Sequence, residues 1–302
     1  MRSSYTLLSI LATFSLALAL PTSSLAQTSA RASLLEADKA ASMAVFQKGL
    51  MSGLQDFLTD DAILLYEGAP IVAGRGRVIQ VLGSQPRLGQ LKIQRLPVIV
   101  AISEDGNYGT TSGASIIGRV GQAPDSTHEY GHYIAVWRRS GEGTPWKVVA
   151  IVENGLAGSD SVTVPAGLDR APPPLITGPA RAFADADVAF AKMAADSGAH
   201  AAFGNYAAPD ATTPPGESEM TVGATAIRAR MSNPARMQAL WSWHPVYAGS
   251  STGGDFGYTV GEATIRSSSA TDASVYQGKY LTVWQKQPDG SIKFILDSGN
   301  AR

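Results

Sequence analysis

The chain has 302 residues, a formal net charge of −1 from 24 basic and 25 acidic side chains, and no cysteine. That length accommodates two domains of ordinary size, and the even charge balance removes any electrostatic case for nucleic acid or an anionic membrane as the main partner. The lack of cysteine excludes disulfide frameworks, thiolate nucleophiles and cysteine-held zinc or iron–sulfur clusters, and the four histidines are scattered, so neither a metal nor a cofactor is expected.

The first 26 residues read as an export signal: Arg2, an uncharged apolar run of 14 residues from Leu7 to Leu20, Pro21, and small residues Ser24 and Ala26 ahead of a cleavage point before Gln27. A retained membrane anchor is the alternative, although the run is short for a span. The expected address is the periplasm or the exterior, with no membrane contact after cleavage.

The mature sequence is one domain written twice. Residues 37–62 align without a gap on residues 186–211, an offset of 149, which places Asp38 over Asp187, Gly49 over Gly198 and Phe57 over Tyr206. The agreement continues in order through Gly74 and Gly223, Gly106–Gly113 and Gly254–Gly261, Tyr133/Trp137 and Tyr280/Trp284, and Asn154 and Asn300. So long a period means a duplicated domain, not a solenoid. The expected limits are 31–157 and 180–302, joined by a Pro/Gly-rich linker at 158–179 in which Pro172–Pro174 form a stiff spacer.

Each copy opens with an amphipathic helix, Leu34–Lys48 or Arg181–Ser197, ended by Gly49 or Gly198 and followed by a short second helix and a loop. The second copy adds a helix at Ala224–Met231, stopped by Asn233-Pro234. The remainder alternates like strands, with Gly-, Ser- and Pro-Asp-Gly-rich turns between them. Helices followed by an antiparallel meander predict an α+β class.

Trp243-His244-Pro245, Gly254-Asp255-Phe256-Gly257-Tyr258-Thr259-Val260-Gly261, Gly278-Lys279-Tyr280 with Trp284, and Asp297-Ser298-Gly299-Asn300 resemble the nuclear transport factor 2-like superfamily. Within it they resemble the SnoaL-like, ketosteroid-isomerase-like secreted branch. The resemblance covers both copies and implies two tandem cone-shaped domains, each of helices packed on a curved antiparallel sheet. It also implies a pocket at one end of each cone, used elsewhere for isomerases, dehydratases, hydrolases, cyclases and binding proteins; it does not name a reaction. The first copy keeps the framework and changes the polar residues: Arg95 stands for Trp243, Asn107 for Asp255, His132 for Lys279 and Ile151 for Asp297. Pocket activity is therefore expected mainly in the second copy.

Asp187 lies on the apolar stripe of its helix, either as a proton shuttle of raised pKa or as a structural acid bonded to backbone or indole N–H groups. Tyr258 and Glu262 share one face of a strand, and Asp297 is expected beside Lys293 and Ile295 on another. A catalytic set of Asp187, Tyr258 and Asp297 would join an oxyanion donor to a general base. The alternative is salt bridging of Lys279 or Lys293 with Glu262 or Asp297. Trp241, Trp243 and Tyr247, expected to alternate on one face, and Tyr280 and Trp284 form an aromatic surface that either lines a ligand pocket or fills the core. The candidate ligand-binding residues are Trp243, His244, Tyr247, Glu262, Tyr280 and Trp284. His128-x-x-x-His132 lacks an evident third metal ligand.

The leading expectation is an exported protein that binds a small, largely apolar ligand. An acid–base lyase or isomerase of the SnoaL/ketosteroid-isomerase type and an assembly module are the alternatives. The expected assembly is an internal pseudo-dimer of the two copies or a homo-oligomer.

Overall fold

The computed structural model describes residues 22–85, 88, 90–119, 121, 129–155, 176–214, 220–268 and 274–302. The apolar run of the expected signal, His128 and all of the expected linker up to residue 175 lie outside the described residues.

The first half runs α1 (Thr22–Lys48), α2 (Leu50–Leu54), a 3-10 turn at Gln55–Phe57, β1 (Leu58–Tyr66), β2 (Val72–Ala73), α3 (Arg75–Gly83), β3 (Leu91–Ile102), β4 (Tyr108–Arg119), β5 (Glu129–Arg138) and β6 (Lys147–Asn154). The second repeats the order as α4 (Ala180–Ser197), α5 (Ala199–Tyr206), β7 (Ala207–Thr213), β8 (Thr221–Val222), α6 (Ala224–Met231), α7 (Pro234–Met237), β9 (Ala239–Ser250), β10 (Phe256–Ser267), β11 (Val275–Lys286) and β12 (Ile292–Ala301). The first helix begins further back than its amphipathic stretch, because neither proline nor glycine interrupts residues 22–48. It therefore passes through the expected cleavage site. No described helix is long and apolar enough to cross a membrane.

Both sheets have six strands in the same spatial order, β2-β1-β6-β5-β4-β3 and β8-β7-β12-β11-β10-β9, and the α+β class and tandem duplication are plain from that order. They are mixed sheets, not the expected antiparallel ones. The stretch read as a loop after Phe57 or Tyr206 is β1 or β7, which pairs parallel with β6 or β12. In β7, Ala-Ala-Pro-Asp-Ala-Thr-Thr offers no large apolar side chain, so no alternation announces a strand.

Gly49 and Gly198 take φ of 83° and 85° between the first and second helices of their copies, a region that L side chains rarely enter. Their N–H groups close the preceding helix onto Val45 O and Ala194 O, and the second helix turns back to pack against the first. Helix α1 packs on β3 and β4, and α4 on β9 and β10.

The outward faces of the two sheets meet. Tyr108, Ile134, Val136 and Val152 share one apolar cluster with Tyr258, Val260, Leu281 and Val283. At its edge the halves exchange equivalent hydrogen bonds: Asn154 Nδ2 donates to Gly299 O at 3.2 Å, and Asn300 Nδ2 donates to Glu153 O at 3.3 Å. Asn300 Nδ2 also reaches Asn154 Oδ1 at 2.8 Å, so the two matching asparagines meet where a local two-fold axis would pass. Glu104 N donates to Asp255 Oδ2 at 2.7 Å elsewhere on the same interface.

Candidate functional site

Residues Phe183, Asp187, Phe190 and Ala194 recur three and four apart on α4, so its buried stripe carries one carboxylate into the second half. Asp187 is fully buried. Trp243 Nε1 donates to its Oδ1 at 2.9 Å and Tyr280 Oη donates to its Oδ2 at 2.8 Å. Burial pushes its pKa up to about 6, opposed by hydrogen bonds from Thr259, Tyr280 and Trp243. Indole and phenol thus hold Asp187 as they would a structural acid, while desolvation raises its pKa.

Strand alternation decides what joins it. On β10, Thr259 faces Asp187 and accepts from Trp284 Nε1 at 2.8 Å; on β11, Tyr280, Thr282 and Trp284 share that inner face. Thr282 Oγ1 donates to Asp297 Oδ1 at 2.6 Å. Burial raises Asp297 to about 6, and the negative charge of Asp187 adds to the shift.

A cavity of about 170 Å³ opens beneath these groups, walled by Phe190, Phe203, Trp241, Trp243, Ala263, Tyr280 and Asp297 among others. A second cavity of about 240 Å³ adjoins it across Phe203, Trp241, Asp297, Ser298 and Gly299. Arg230, Arg236, Ile227 and Met231 line this outer space, and His132 and Asn154 of the first half close it.

Four of the nine expected site residues therefore come together: Asp187, Asp297, Trp243 and Tyr280. Trp284 is inward but belongs to the core, with ring centroids 6.1 Å from Phe190 and 6.2 Å from Phe294. Tyr258 cannot complete the expected catalytic trio. Its neighbour Thr259 points inward, so Tyr258 points outward, into the shared cluster with Tyr108 of the first half. The inward tyrosine is Tyr280.

Glu262 and His244 are cross-strand partners on the outward side, where Glu262 pairs with Arg302 at 3.2 Å and His244 is exposed. The expected lysine bridges are replaced by other contacts: Lys279 Nζ donates to Ala301 O at 2.6 Å, and Lys293 Nζ donates to Asn205 O.

Tyr247 also leaves the pocket, for a different reason. The β9–β10 register shifts between Val260 and Gly261, so Pro245 lies opposite Gly261 and Tyr247 opposite Val260, with Val246 as the extra residue. Trp241 and Trp243 stay inward, whereas Tyr247 turns outward. A matching shift between Val283 and Trp284 makes Ile295 the extra residue of β12, which puts Phe294 and Asp297 on one side and separates Asp297 from Lys293 and Ile295.

Arg230, Arg236, Thr282 and the contribution of His132 were not foreseen. The nearest signal was the cluster of arginines just ahead of Trp241 in the chain.

The first half has the same frame but different residues around the acid. Tyr133 Oη donates to Asp38 Oδ2 at 2.5 Å, and Trp137 Nε1 to Thr111 Oγ1 at 2.8 Å, matching Tyr280–Asp187 and Trp284–Thr259. Register places Arg95 where the second half has Trp243, and Glu153 where it has Gly299. Arg95 Nη2 donates to Glu153 Oε2 at 2.7 Å with both side chains at most 2% exposed, and Ser115 Oγ donates to Glu153 Oε1. An ion pair occupies the space that the second half leaves open.

Among the described residues no group of three His, Asp or Glu side chains is placed to hold a metal ion. No protein-family model and no curated protein matches the chain. Solved structures similar to it include a nuclear transport factor 2-like protein with a cystatin-like fold from Novosphingobium aromaticivorans, 12% identical, covering 40% of this chain and 81% of its own at a TM-score of 0.35. A ketosteroid isomerase-like protein from Erwinia carotovora atroseptica is 15% identical, covering 42% of this chain and 97% of its own at 0.34. A nuclear transport factor 2-like protein from Cytophaga hutchinsonii is 20% identical, covering 41% and 97% at 0.32. Each match spans the length of one half.

Proposed function

We propose that the second half binds a small, largely apolar molecule in its inner cavity and that the first half serves as scaffold. The observation that carries this reading is the contrast at equivalent positions: the aromatic-walled space of about 170 Å³ in one copy, and a buried ion pair in the other. A cavity of that size suits a single ring, and desolvated aromatic walls favour apolar matter. Trp241 and Trp243 report occupancy by fluorescence. A neutral one-ring probe, 4-phenylbutanamide, is expected to bind saturably to the wild type and not to Ala263→Leu, whose larger side chain fills the space. Absence of saturable binding to the wild type would remove this reading.

Acid–base catalysis is the second reading, favoured by Asp297 standing in the cavity wall with a pKa near 6. Asp297 would take a proton from carbon beside a carbonyl, with Tyr280 already committed to Asp187. Deuterium exchange into the α-position of phenylacetone, followed by NMR, tests it. Exchange above buffer is expected for the wild type and lost in Asp297→Asn; equal rates in both eliminate catalysis by Asp297.

Export belongs to the same proposal. N-terminal sequencing of protein recovered outside the cytoplasm is expected to begin at Gln27, and a start at Met1 would overturn it.

A further inference from the structure

We infer that the outer cavity is an anion site, and that the ligand is an arylalkyl carboxylate whose ring enters the inner cavity while its carboxylate lies between Arg230, Arg236 and His132. The inference rests on the inner cavity being a ligand pocket and adds what lies at its mouth.

Three observations carry it. Among the described residues the acceptors that orient each arginine are neutral. Arg230 Nη1 donates to Pro214 O at 2.7 Å and to the hydroxyls of Thr213 and Thr221, both at 3.2 Å; Arg236 Nη1 donates to Arg230 O at 3.2 Å. Among the described residues no carboxylate forms an ion pair with either. Two like charges thus share one cavity wall, held in place on one nitrogen each and with their other N–H groups uncommitted by those bonds. Partial burial, with repulsion from Arg236 added to it, lowers the Arg230 pKa, and a bound anion would oppose both effects.

The first half supplies a third polar group. Asn154 Nδ2 lies 2.6 Å from His132 Nε2, and an amide nitrogen only donates, so Nε2 accepts and the ring proton resides on Nδ1. Burial and the nearby Arg230 depress the His132 pKa to about 4, which keeps the ring neutral at pH 7. His132 lines the cavity with both arginines, so the site is assembled from both halves. The first half contrasts at the equivalent helix position, where offset alignment puts buried Val81 in place of Arg230.

Geometry restricts the charge as well. Asp297 lies in the wall shared by both cavities and repels a second negative charge, which favours a monoanionic carboxylate over a phosphate dianion. A ring in the inner cavity and a short methylene tether place one carboxylate at the arginines.

Calorimetric titration with 4-phenylbutanoate, its amide and inorganic phosphate tests the inference on the full chain. The carboxylate is expected to bind the wild type at least tenfold more tightly than the amide, with phosphate weaker than both. Arg230→Met and Arg236→Gln should each abolish that preference, lowering the affinity for the carboxylate far more than the affinity for the amide. His132→Ala should reduce the preference severalfold. Far-UV circular dichroism verifies that the variants fold, and the wild-type comparison of acid with amide needs no variant. Equal affinity for acid and amide would overturn the anion site while leaving the apolar pocket standing. Tightest binding by phosphate would overturn the carboxylate assignment, and an unchanged preference in His132→Ala would overturn the role of the first half. Failure of the amide to bind would overturn the pocket on which the inference rests.

Discussion

The two halves place a carboxylate at the same position of the same helix and hold it with the same tyrosine, yet they surround it differently. In the first, Asp38 and Tyr133 sit beside the Arg95–Glu153 pair, and Arg95 lies 5.4 Å from the Tyr133 ring centroid. In the second, Trp243 replaces Arg95 and also donates to the acid, while Gly299 removes the side chain that Glu153 provides. A buried ion pair holds the first interior shut; an indole and a glycine hold the second one open. The acid is therefore part of the frame, and the residues around it decide whether the interior beside it is filled or open.

The largest test of that contrast lies in the closed half. Glu153→Gln leaves the Arg95 guanidinium buried without its counter-charge and is expected to cost about 3–5 kcal/mol. The paired change Arg95→Met with Glu153→Leu should cost far less, because both charges leave together. Chemical denaturation measures both, and equal losses for the single and paired variants would break the account of a filled interior.

A smaller effect is expected from Asp187, and its sign follows from the raised pKa. The folded state holds the proton more tightly than the unfolded chain, so the associated stability is present below about pH 3.8 and is lost as pH rises through about 6. Wild type should fall relative to Asp187→Asn by about 3 kcal/mol across that window, since one pKa unit is about 1.4 kcal/mol. Thermal melts of both proteins at several pH values check it; parallel curves would mean that Asp187 is not desolvated.

Coupling between the halves comes next. Asn300→Ala removes hydrogen bonds to Leu65 O, Glu153 O and Asn154 Oδ1. It should destabilise by about 1–3 kcal/mol and separate a single unfolding transition into two. The smallest effect is expected at Thr282, whose hydroxyl stabilises ionised Asp297. Thr282→Val should raise the Asp297 pKa above 6 by an amount worth less than about 1 kcal/mol, read by carboxyl NMR titration.

Much of the fold was legible because the chain states it twice. The helical stripe around Asp187, the glycine after each first helix and the strand order of the meander all recur at matching positions, and the substitution of Arg95 for Trp243 already set the halves apart. Strands β1 and β7 were not legible, because their pairing is parallel to a strand remote in sequence and β7 lacks large apolar residues. The site was half legible. Trp243, Tyr280, Asp187 and Asp297 converge as residue type suggested, whereas Tyr247 was displaced by the bulge at Val246 and Tyr258 was assigned without knowing which face is inward.

What the sequence determined by itself was periodic or local: the duplication, the class, the helices, and the placement of one acid on an apolar stripe. Only the tertiary structure decided which strand face looks inward, where one extra residue reverses the alternation, and that His132 of one half closes the cavity of the other. Alternation is a property of a single strand, but its phase relative to the interior is set by pairing with neighbours and by the helix beneath, and a one-residue bulge inverts it without altering composition.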